Sequence, residues 1–235
     1  MTRVWHTAYL VVIACLVALV INRSRQPNPS QFQRALLVHT KDYSDVRWLG
    51  VPVWQPVMDL WTLQETIADV KPALLIECGT YRGGSSLFFA NLFDLMQHGR
   101  VITVDIEKQH NLSHPRITYL IADCAAPETV ARIRAEAEMT TGPVFVVLDS
   151  DHTANHVYKE MLAYAPLVTP GSYLHVQDGV IDQIPNLQKK WGAGPLRAIE
   201  RFLPEHPEFE VDSARTSKFL ITHHPKGWLR RKPLR

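Results

Sequence analysis

Short apolar runs alternate with longer amphipathic stretches along the chain from about Trp54 onward. This alternation is typical of a parallel β-sheet whose strands are joined by crossover helices. We predict strands at Ala73–Glu77, Val101–Asp105, Ile117–Ala122, Val144–Asp149, Ser172–Gln177, Phe209–Val211 and Lys218–Thr222. We predict helices at Asp59–Val70, Gly84–Met96, Glu128–Glu138, Thr153–Ala165 and Leu196–Leu203, the last preceded by a loop with Pro185, Gly192 and Gly194. The pattern predicts an α/β fold with a seven-stranded, mostly parallel sheet, helices on both faces and a final hairpin.

A strongly apolar segment near the N-terminus predicts a membrane helix. No Asp, Glu, Lys or Arg lies between Arg3 and Arg23, and Val4–Ile21 approaches the roughly 20 residues that a membrane span requires. Basic residues after this segment outnumber those before it, so the positive-inside rule places the rest of the chain in the cytoplasm. We predict a single-pass membrane anchor. A cleaved signal peptide and a buried helix are the alternatives, although no small-x-small cleavage site follows Ile21.

The sequence divides into four parts. Residues 1–22 are the predicted anchor or signal sequence, and residues 23–44 are a linker that contains Pro27 and Pro29. Residues 45–225 form the predicted catalytic domain, and residues 226–235 form a basic tail. A chain of 235 residues accommodates one α/β domain with a full core and little beyond it.

Charge and cysteine content narrow the possible partners. The formal net charge of +2 is too small to predict a nucleic-acid partner. We expect the basic tail to be solvated, with contact to anionic lipid headgroups and a phosphate-binding arm as the alternatives. Cys15, Cys78 and Cys124 form no CxxC pair and no Cys/His cluster, so the sequence favours a reducing compartment and predicts neither a zinc site nor a redox pair.

A glycine-rich segment, Glu77–Ser86, follows the first predicted strand. Glycines at such a point let the backbone turn sharply and approach a ligand closely, and Ser85 is placed to cap the following helix. The spacing is E-x-G-x-x-x-G-G-S rather than the G-x-G-x-x-G of pyrophosphate-binding loops. An acid before the first glycine suits the cationic groups of S-adenosylmethionine (SAM), whose carboxylate can accept the amides of the helix start. The residues predicted to bind SAM here are Glu77, Gly79, Thr80, Tyr81, Gly83 and Ser85.

Two further acids follow the next two predicted strands. Asp105 ends the second strand, where an acid commonly binds the ribose hydroxyls of a nucleoside cofactor. Asp123 follows the third strand, where it either binds near the adenine or caps the helix that starts near Pro127, and the sequence favours neither role over the other. We predict both acids as cofactor-binding residues.

Acids at the ends of the fourth and fifth strands predict a metal site. Asp149 and Asp178 come from adjacent parallel strands, so their carboxylates can converge on one Mg²⁺ ion. Such an ion would orient an acceptor hydroxyl and lower its pKa, with His152 as general base. We therefore predict Asp149 and His152 as catalytic residues and Asp149 and Asp178 as metal ligands. The alternative is that Asp151 and Thr153 simply begin a helix.

Taken together, these motifs resemble the cephalosporin hydroxylase and rhamnosyl O-methyltransferase family. The matching segments are Asp59-Leu60 with Gln64-Glu65, Ile76–Ser85, Val104–Ile106, Leu148–Thr153, Gly171–Leu174, Asp178-Gly179 and Gly194–Leu196, spread over residues 45–225. The resemblance implies the Rossmann-like fold of class I methyltransferases, SAM as methyl donor and, as in the best-known branch, an Mg²⁺ ion beside it. The family usually has Glu-Asp where this chain has Gln177-Asp178, and an amide is a poorer Mg²⁺ ligand than a carboxylate.

The main functional hypothesis is SAM-dependent methylation of a hydroxyl on a small-molecule sugar or a lipid-linked sugar. A cephalosporin hydroxylase-like reaction is one alternative, and a catalytically inactive scaffold that binds the donor is another, motivated by Gln177. A nicotinamide oxidoreductase is disfavoured by the absence of G-x-G-x-x-G. The partners expected are the acceptor and the membrane, without nucleic acid, and self-association into a homo-oligomer is compatible with the sequence.

Overall fold

The computed structural model describes residues 29–41 and 43–233. The predicted membrane anchor, residues 1–22, lies outside the described residues. Within the part that is described, no helix combines the length and the hydrophobicity needed to cross a membrane. Helix α1, Pro29–His39, belongs to an N-terminal unit that ends at His39. The predicted linker at 23–44 therefore contains a helix.

The second unit begins at Thr40 and contains the sheet with its connecting helices. Its strands are β1 (Arg47–Trp48), β2 (Val51–Pro52), β3 (Leu74–Cys78), β4 (Arg100–Asp105), β5 (Ile117–Ile121), β6 (Val144–Leu148), β7 (Tyr173–Val176), β8 (Phe209–Val211) and β9 (Trp228–Arg231). Its α-helices are α2 (Val57–Val70), α3 (Gly84–Met96), α4 (Pro127–Glu138), α5 (Ala154–Tyr164), α6 (Pro185–Trp191), α7 (Pro195–Phe202) and α8 (Ser213–Thr216). Short 3₁₀ helices span Ala165–Leu167 and Gly179–Asp182. Helix α6 stands where a loop was predicted, with Pro185 in its first turn, a position that proline favours.

Seven strands form one sheet in the order β5-β4-β3-β6-β7-β9-β8. Strands β3 to β7 are parallel, and β9 runs antiparallel to both β7 and β8. The chain winds outward in one direction from β3 to β5 and in the other from β6 to β7. This reversal creates a switch point at the carboxyl ends of β3 and β6, where open α/β sheets bind ligands. The predicted seven-stranded, mostly parallel sheet is confirmed.

The central strands are buried on both faces. Leu74 and Ile76 of β3 pack on one face in a cluster that includes Tyr164 of α5. Leu75, between them, points to the opposite face and packs in a second cluster with Leu63 of α2. Because successive strand residues alternate between faces, strands covered on both sides consist of unbroken aliphatic runs. The prediction of helices on both faces is confirmed.

The C-terminal hairpin uses a different second strand from the one predicted. The segment Lys218–Thr222 is not a strand, and Leu220 within it has a positive φ of 66° and is 87% exposed. Strand β9 takes its place, with Trp228 fully buried between β7 and β8. The predicted basic tail at 226–235 thus contributes a strand to the sheet, and its first residues are not a solvated tail.

Candidate active site

A cavity of about 550 Å³ opens at the carboxyl ends of the central parallel strands. This volume lies within the range of about 300–1,000 Å³ that is usual for small-molecule sites. Of the residues predicted to bind the cofactor, the cavity is lined by Gly79, Thr80, Tyr81, Ser85, Asp105 and Asp123. The predicted catalytic and metal-binding residues Asp149, His152 and Asp178 line the same cavity. Glu77 and Gly83 do not line it.

Gly79 makes the turn out of β3 into the glycine-rich loop. Its φ of 101° is in the region that favours glycine, and its N–H donates to the carbonyl oxygen of Val104 over 2.8 Å. A Cβ atom at this position would lie 2.0 Å from the carbonyl oxygen of Asp149. The loop therefore passes directly against the end of β6.

Gly83, not Ser85, occupies the N-cap position of α3. Gly83 has a φ of 76°, and no side chain caps the helix there. Ser85 lies inside the first turn and faces the cavity. The prediction that Ser85 caps the helix is wrong, because the chain enters the helix through a left-handed glycine one residue before Gly84.

Glu77 lies beneath the cavity, with only 1% of its surface exposed. Its carboxylate accepts hydrogen bonds from the hydroxyls of Ser86 and Thr103, the latter over 2.6 Å. Burial raises the pKa of Glu77. As the penultimate residue of β3 it points to the sheet face that α3 covers, not beyond the strand end. Glu77 thus links β3, β4 and the start of α3 through hydrogen bonds. It does not line the cavity, so the geometry does not support the predicted contact between Glu77 and the cationic groups of a ligand.

Asp105 and Asp123 both reach the cavity. Asp105 Oδ2 accepts the backbone N–H of Tyr81 over 2.7 Å, which fixes the glycine-rich loop to the end of β4. Asp123 Oδ1 accepts the N–H of Ala125 over 2.8 Å. Ala126 is the N-cap of α4 and no side chain caps that helix, so the structure excludes the helix-cap alternative for Asp123.

Asp149, His152 and Asp178 form a cluster at one end of the cavity. One potential ligand atom from each lies within 4.8 Å of those of the other two. His152 Nε2 is 3.1 Å from Asp178 Oδ2. Asp178 has a φ of 58°, a left-handed conformation that Asp and Asn adopt more readily than most residues. The predicted convergence of these three side chains is found in the structure.

Gln55 was missed by the sequence analysis and lies against Asp149. Its Nε2 donates to Asp149 Oδ2 over 2.8 Å and also contacts the amide of Gln177. Gln177 is 2% exposed, and with its amide nitrogen turned toward Asp149 it donates to Oδ2 over 3.0 Å. The signal for Gln55 is a lone amide in the apolar stretch from Val51 to Val57. The two amides hold the Asp149 carboxylate from the buried side.

A second missed group supports Asp178 from the opposite side. His223 Nε2 is 3.4 Å from Asp178 Oδ1, and the N–H of Asp178 donates to His224 Nδ1 over 2.9 Å. The buried carboxylate of Asp59 fixes this pair, because its Oδ2 accepts the N–H of His223 over 2.8 Å and its Oδ1 accepts the hydroxyl of Thr222 over 2.6 Å. The adjacent histidines after Thr222 were the available sequence signal.

The buried Asp59 carboxyl predicts a specific pH dependence of stability. Burial raises its pKa from 3.8 to about 6, so the folded state binds this proton more tightly than the unfolded state does. The resulting stabilisation is complete below about pH 4 and is lost as the pH rises through about 6. Relative to Asp59→Asn, the wild-type free energy of unfolding should fall by about 3 kcal/mol between about pH 3.5 and 7.

Urea denaturation of both proteins at several pH values measures this difference. Glu138→Gln, at the exposed C-terminal end of α4, is the control and should follow the wild-type profile. Parallel pH profiles of wild type and Asp59→Asn would show that Asp59 titrates normally.

The chemistry of the donor set suits a divalent cation. Burial, followed by the nearby Asp178 carboxylate, raises the pKa of Asp149 well above its usual value. A cation between Asp149 and Asp178 would relieve that repulsion, and carboxylate oxygens are suitable Mg²⁺ ligands. Gln177 faces Asp149 as a hydrogen-bond donor, so the described residues offer two carboxylates and not the three that Glu-Asp would supply.

The sheet order, the final antiparallel strand and the cavity at the switch point define a Rossmann-like methyltransferase fold. A solved structure of CmcI with Mg and SAM superposes with a TM-score of 0.63 at 20% identity, covering 81% of this chain and 78% of that chain. A structure of CmcI with SAH gives a TM-score of 0.60 at 19% identity, covering 81% and 84%. Residues 40–232 match the family model described as "Rhamnosyl O-methyltransferase/CmcI", and the chain belongs to this family.

Curated relatives of this chain are found in mycobacteria. The rhamnosyl O-methyltransferase of Mycobacterium leprae is 36% identical over 195 residues, which are 81% of this chain and 85% of that protein. The rhamnosyl O-methyltransferase of Mycobacterium tuberculosis H37Rv is 34% identical over 195 residues, which are 80% of this chain and 78% of that protein. The region matched by the family model, residues 40–232, includes β9, which lies in the predicted tail.

Proposed function

We propose that this protein transfers the methyl group of SAM to a hydroxyl of a sugar. The proposal rests on one observation: the glycine-rich loop and the cluster of Asp149, His152 and Asp178 line the same cavity. A methyltransferase must hold its donor and activate its acceptor within one enclosure, and this cavity offers a surface for each. The mycobacterial relatives, named for rhamnosyl O-methylation, support a sugar as the acceptor.

The donor half is formed by the loop after β3 and the ends of β4 and β5. The backbone of Gly79 and Thr80 offers close approach, and Asp105 lies where the ribose hydroxyls of a nucleoside bind in such sheets. Asp123 lies one strand further along, toward the adenine end. Tyr81 packs against Trp54 with ring centroids 4.9 Å apart and the ring planes tilted by 42°, and both rings line the cavity.

The acceptor half is formed by the cluster at the end of β6 and β7. We assign His152 as the general base, oriented by the carboxylate of Asp178, which His223 contacts from its other oxygen. Asp149 and Asp178 would hold an Mg²⁺ ion, which supplies Lewis-acid polarisation of the acceptor hydroxyl when bound. Gln55 keeps the Asp149 carboxylate directed into the cavity.

Calorimetry and product analysis test the proposal on the full-length chain. We expect SAM and S-adenosylhomocysteine to bind, and rhamnosyl glycosides to gain one methyl group with stoichiometric formation of S-adenosylhomocysteine. Absence of binding by both nucleosides would contradict the donor site. Donor binding without turnover on any sugar would instead support the inactive scaffold, and an oxygenated product would support the hydroxylase alternative.

Replacement of His152 by glutamine tests the assignment of the base. Loss of the proton acceptor should lower kcat by about 100-fold while donor affinity stays the same. The measurement is steady-state methyl transfer paired with donor calorimetry. His206→Gln, at a site that contacts Glu208 outside the cavity, is the matched control, and equal activity of the two variants would exclude His152 as base.

A lipid-linked sugar acceptor handled at the membrane is the finer proposal. The apolar segment Val4–Ile21 and the basic residues after it support a single-pass anchor with a cytoplasmic catalytic domain. Membrane fractionation of the full chain against a chain lacking residues 1–22 tests this point. Self-association stays a prediction.

A further inference from the structure

Three buried side chains from distant parts of the sequence converge beside the floor of the donor cavity. Cys78 ends β3, Cys124 follows β5 and Glu160 lies in α5. One potential ligand atom from each lies within 4.8 Å of those of the other two, and all three residues are buried. The proposed methyl transfer assigns no chemical role to any of them.

The carboxylate of Glu160 is incompletely satisfied. Its Oε1 accepts the hydroxyl of Ser150 over 2.6 Å and lies 3.3 Å from His156 Nε2. Its Oε2 is buried and has no hydrogen-bond partner among the described residues, and the residue is 0% exposed. An unpaired carboxylate oxygen in such a place is costly unless a cation or a proton occupies it.

The donor atoms around this oxygen select a particular class of cation. Two sulfurs with a carboxylate oxygen suit Zn²⁺ and similar thiophilic ions, whereas Mg²⁺ avoids sulfur. Tetrahedral zinc ligands are about 3.5–4 Å apart, given Zn–S bonds of about 2.3 Å and Zn–O bonds of about 2.0–2.2 Å. The ligand atoms, at most 4.8 Å apart, would reach this spacing if their separations shortened by about 1.3 Å or less.

His156 is the candidate for a fourth ligand, because its Nε2 lies 3.3 Å from Glu160 Oε1. It lies one turn before Glu160 on the same helix, so the two side chains share a face of α5. We propose that Cys78, Cys124, His156 and Glu160 form a binding site for a thiophilic divalent cation of the Zn²⁺ class. Bound there, the ion ties β3, the loop after β5 and α5 together under the donor cavity.

Cysteine binds such an ion as its thiolate. Burial raises the pKa of the Cys78 thiol, and Cys124 Sγ donates weakly to the carbonyl oxygen of Val104 at 3.6 Å. Ion binding releases the two thiol protons. The spacing of the cysteines along the sequence gave no sign of this site, because they are brought together by two parallel strands that flank β4.

Cobalt substitution tests the site on the full-length, reduced and metal-free protein. Co²⁺ bound to cysteine gives a thiolate-to-metal charge-transfer absorption in the near ultraviolet, which oxygen and nitrogen ligands do not produce. We expect this absorption to saturate at one equivalent and to disappear on addition of Zn²⁺. The readout does not involve methyl transfer, so its outcome is independent of the proposed function.

Single substitutions test whether the Co²⁺ absorption arises from the proposed ligands. Cys124→Ser should weaken Co²⁺ binding by about 100-fold or more, since loss of even an outer-shell partner costs about 10–100-fold. Cys15→Ser is the matched control and should keep the absorption, as should Asp178→Asn at the other candidate metal site. Glu160→Gln retains both thiols and should weaken binding at least about tenfold, which gives a second route if Cys124→Ser does not fold.

The absence of the absorption from folded, reduced wild-type protein would overturn the proposal. Its persistence at full strength in Cys124→Ser or Glu160→Gln would also overturn it, as would its loss in Cys15→Ser. In those cases the four side chains form no cation site.

Discussion

Replacing Asp178 by asparagine is expected to reduce the rate of methyl transfer by about 1,000-fold while donor affinity changes less than about threefold. Asp178 contacts His152 through one carboxylate oxygen and His223 through the other, and it faces Asp149. Asparagine keeps the size of the side chain and tolerates the left-handed backbone, so the loop should retain its shape. What is lost is the negative charge that orients the base and helps to hold a cation.

Single-turnover methyl transfer and donor calorimetry separate the two effects. Asp149→Asn should give the same pattern, with activity reduced more than donor binding. Asp151→Asn is the matched control, because Asp151 lines the same cavity but its Oδ1 accepts the N–H of Thr153. Equal losses of activity and donor affinity in Asp178→Asn would assign that carboxylate to the donor site, and a large loss in Asp151→Asn would move the acceptor chemistry to Asp151.

Acidic residues of the site could be predicted from the sequence because the carboxyl ends of parallel strands meet at one edge of the sheet. Asp105 and Asp149 come at the end of buried, mainly aliphatic strands and Asp178 follows the buried strand β7, and the structure places all three on one cavity. The same rule predicts that Glu77 lines the cavity, and it does not. Glu77 is still within β3, and strand alternation turns its side chain toward α3. A one-residue difference in where a strand ends decides whether an acid lines the cavity, and sequence patterns do not fix strand ends to one residue.

Groups that reach the site from outside the sheet could not be predicted. Gln55 lies in the segment before α2, and His223 lies in the turn before β9. Their positions depend on long-range hydrogen bonds, such as that from His223 to Asp59. The Lys218–Thr222 segment has the composition of a strand, so local propensity favoured it over Trp228–Arg231, and tertiary pairing decided otherwise.

Gln177 acquires a physical explanation from its neighbours. A carboxylate at this position would be a third acid beside Asp149 and Asp178, and the pKa of Asp149 is already raised by burial and then by the Asp178 charge. The Gln177 amide adds no further negative charge and, with Gln55, donates hydrogen bonds to Asp149. Two amide dipoles therefore stabilise the Asp149 carboxylate at a place where Glu-Asp would add another acid. The protein should accordingly depend less on a bound cation for its stability.

Replacing Gly79 by alanine is expected to abolish measurable donor binding and to destabilise the fold by more than about 4 kcal/mol. The added Cβ would lie 2.0 Å from the carbonyl oxygen of Asp149, and both atoms belong to backbone segments that cannot rotate away. The loop must therefore separate from the end of β6, which breaks the wall shared by the donor and acceptor halves. Chemical denaturation and donor calorimetry measure the two effects.

Gly171→Ala separates this steric clash from the conformational cost of alanine. Gly171 has a φ of 86°, comparable to that of Gly79, but a Cβ there meets nothing within 4 Å. It should cost only the strain of a left-handed alanine, about 1–2 kcal/mol, and leave donor binding intact. If both variants lose the same stability and keep donor binding, the contact between the loop and β6 does not organise the site. If only Gly79→Ala loses donor binding, the junction between Gly79 and Asp149 couples the two halves.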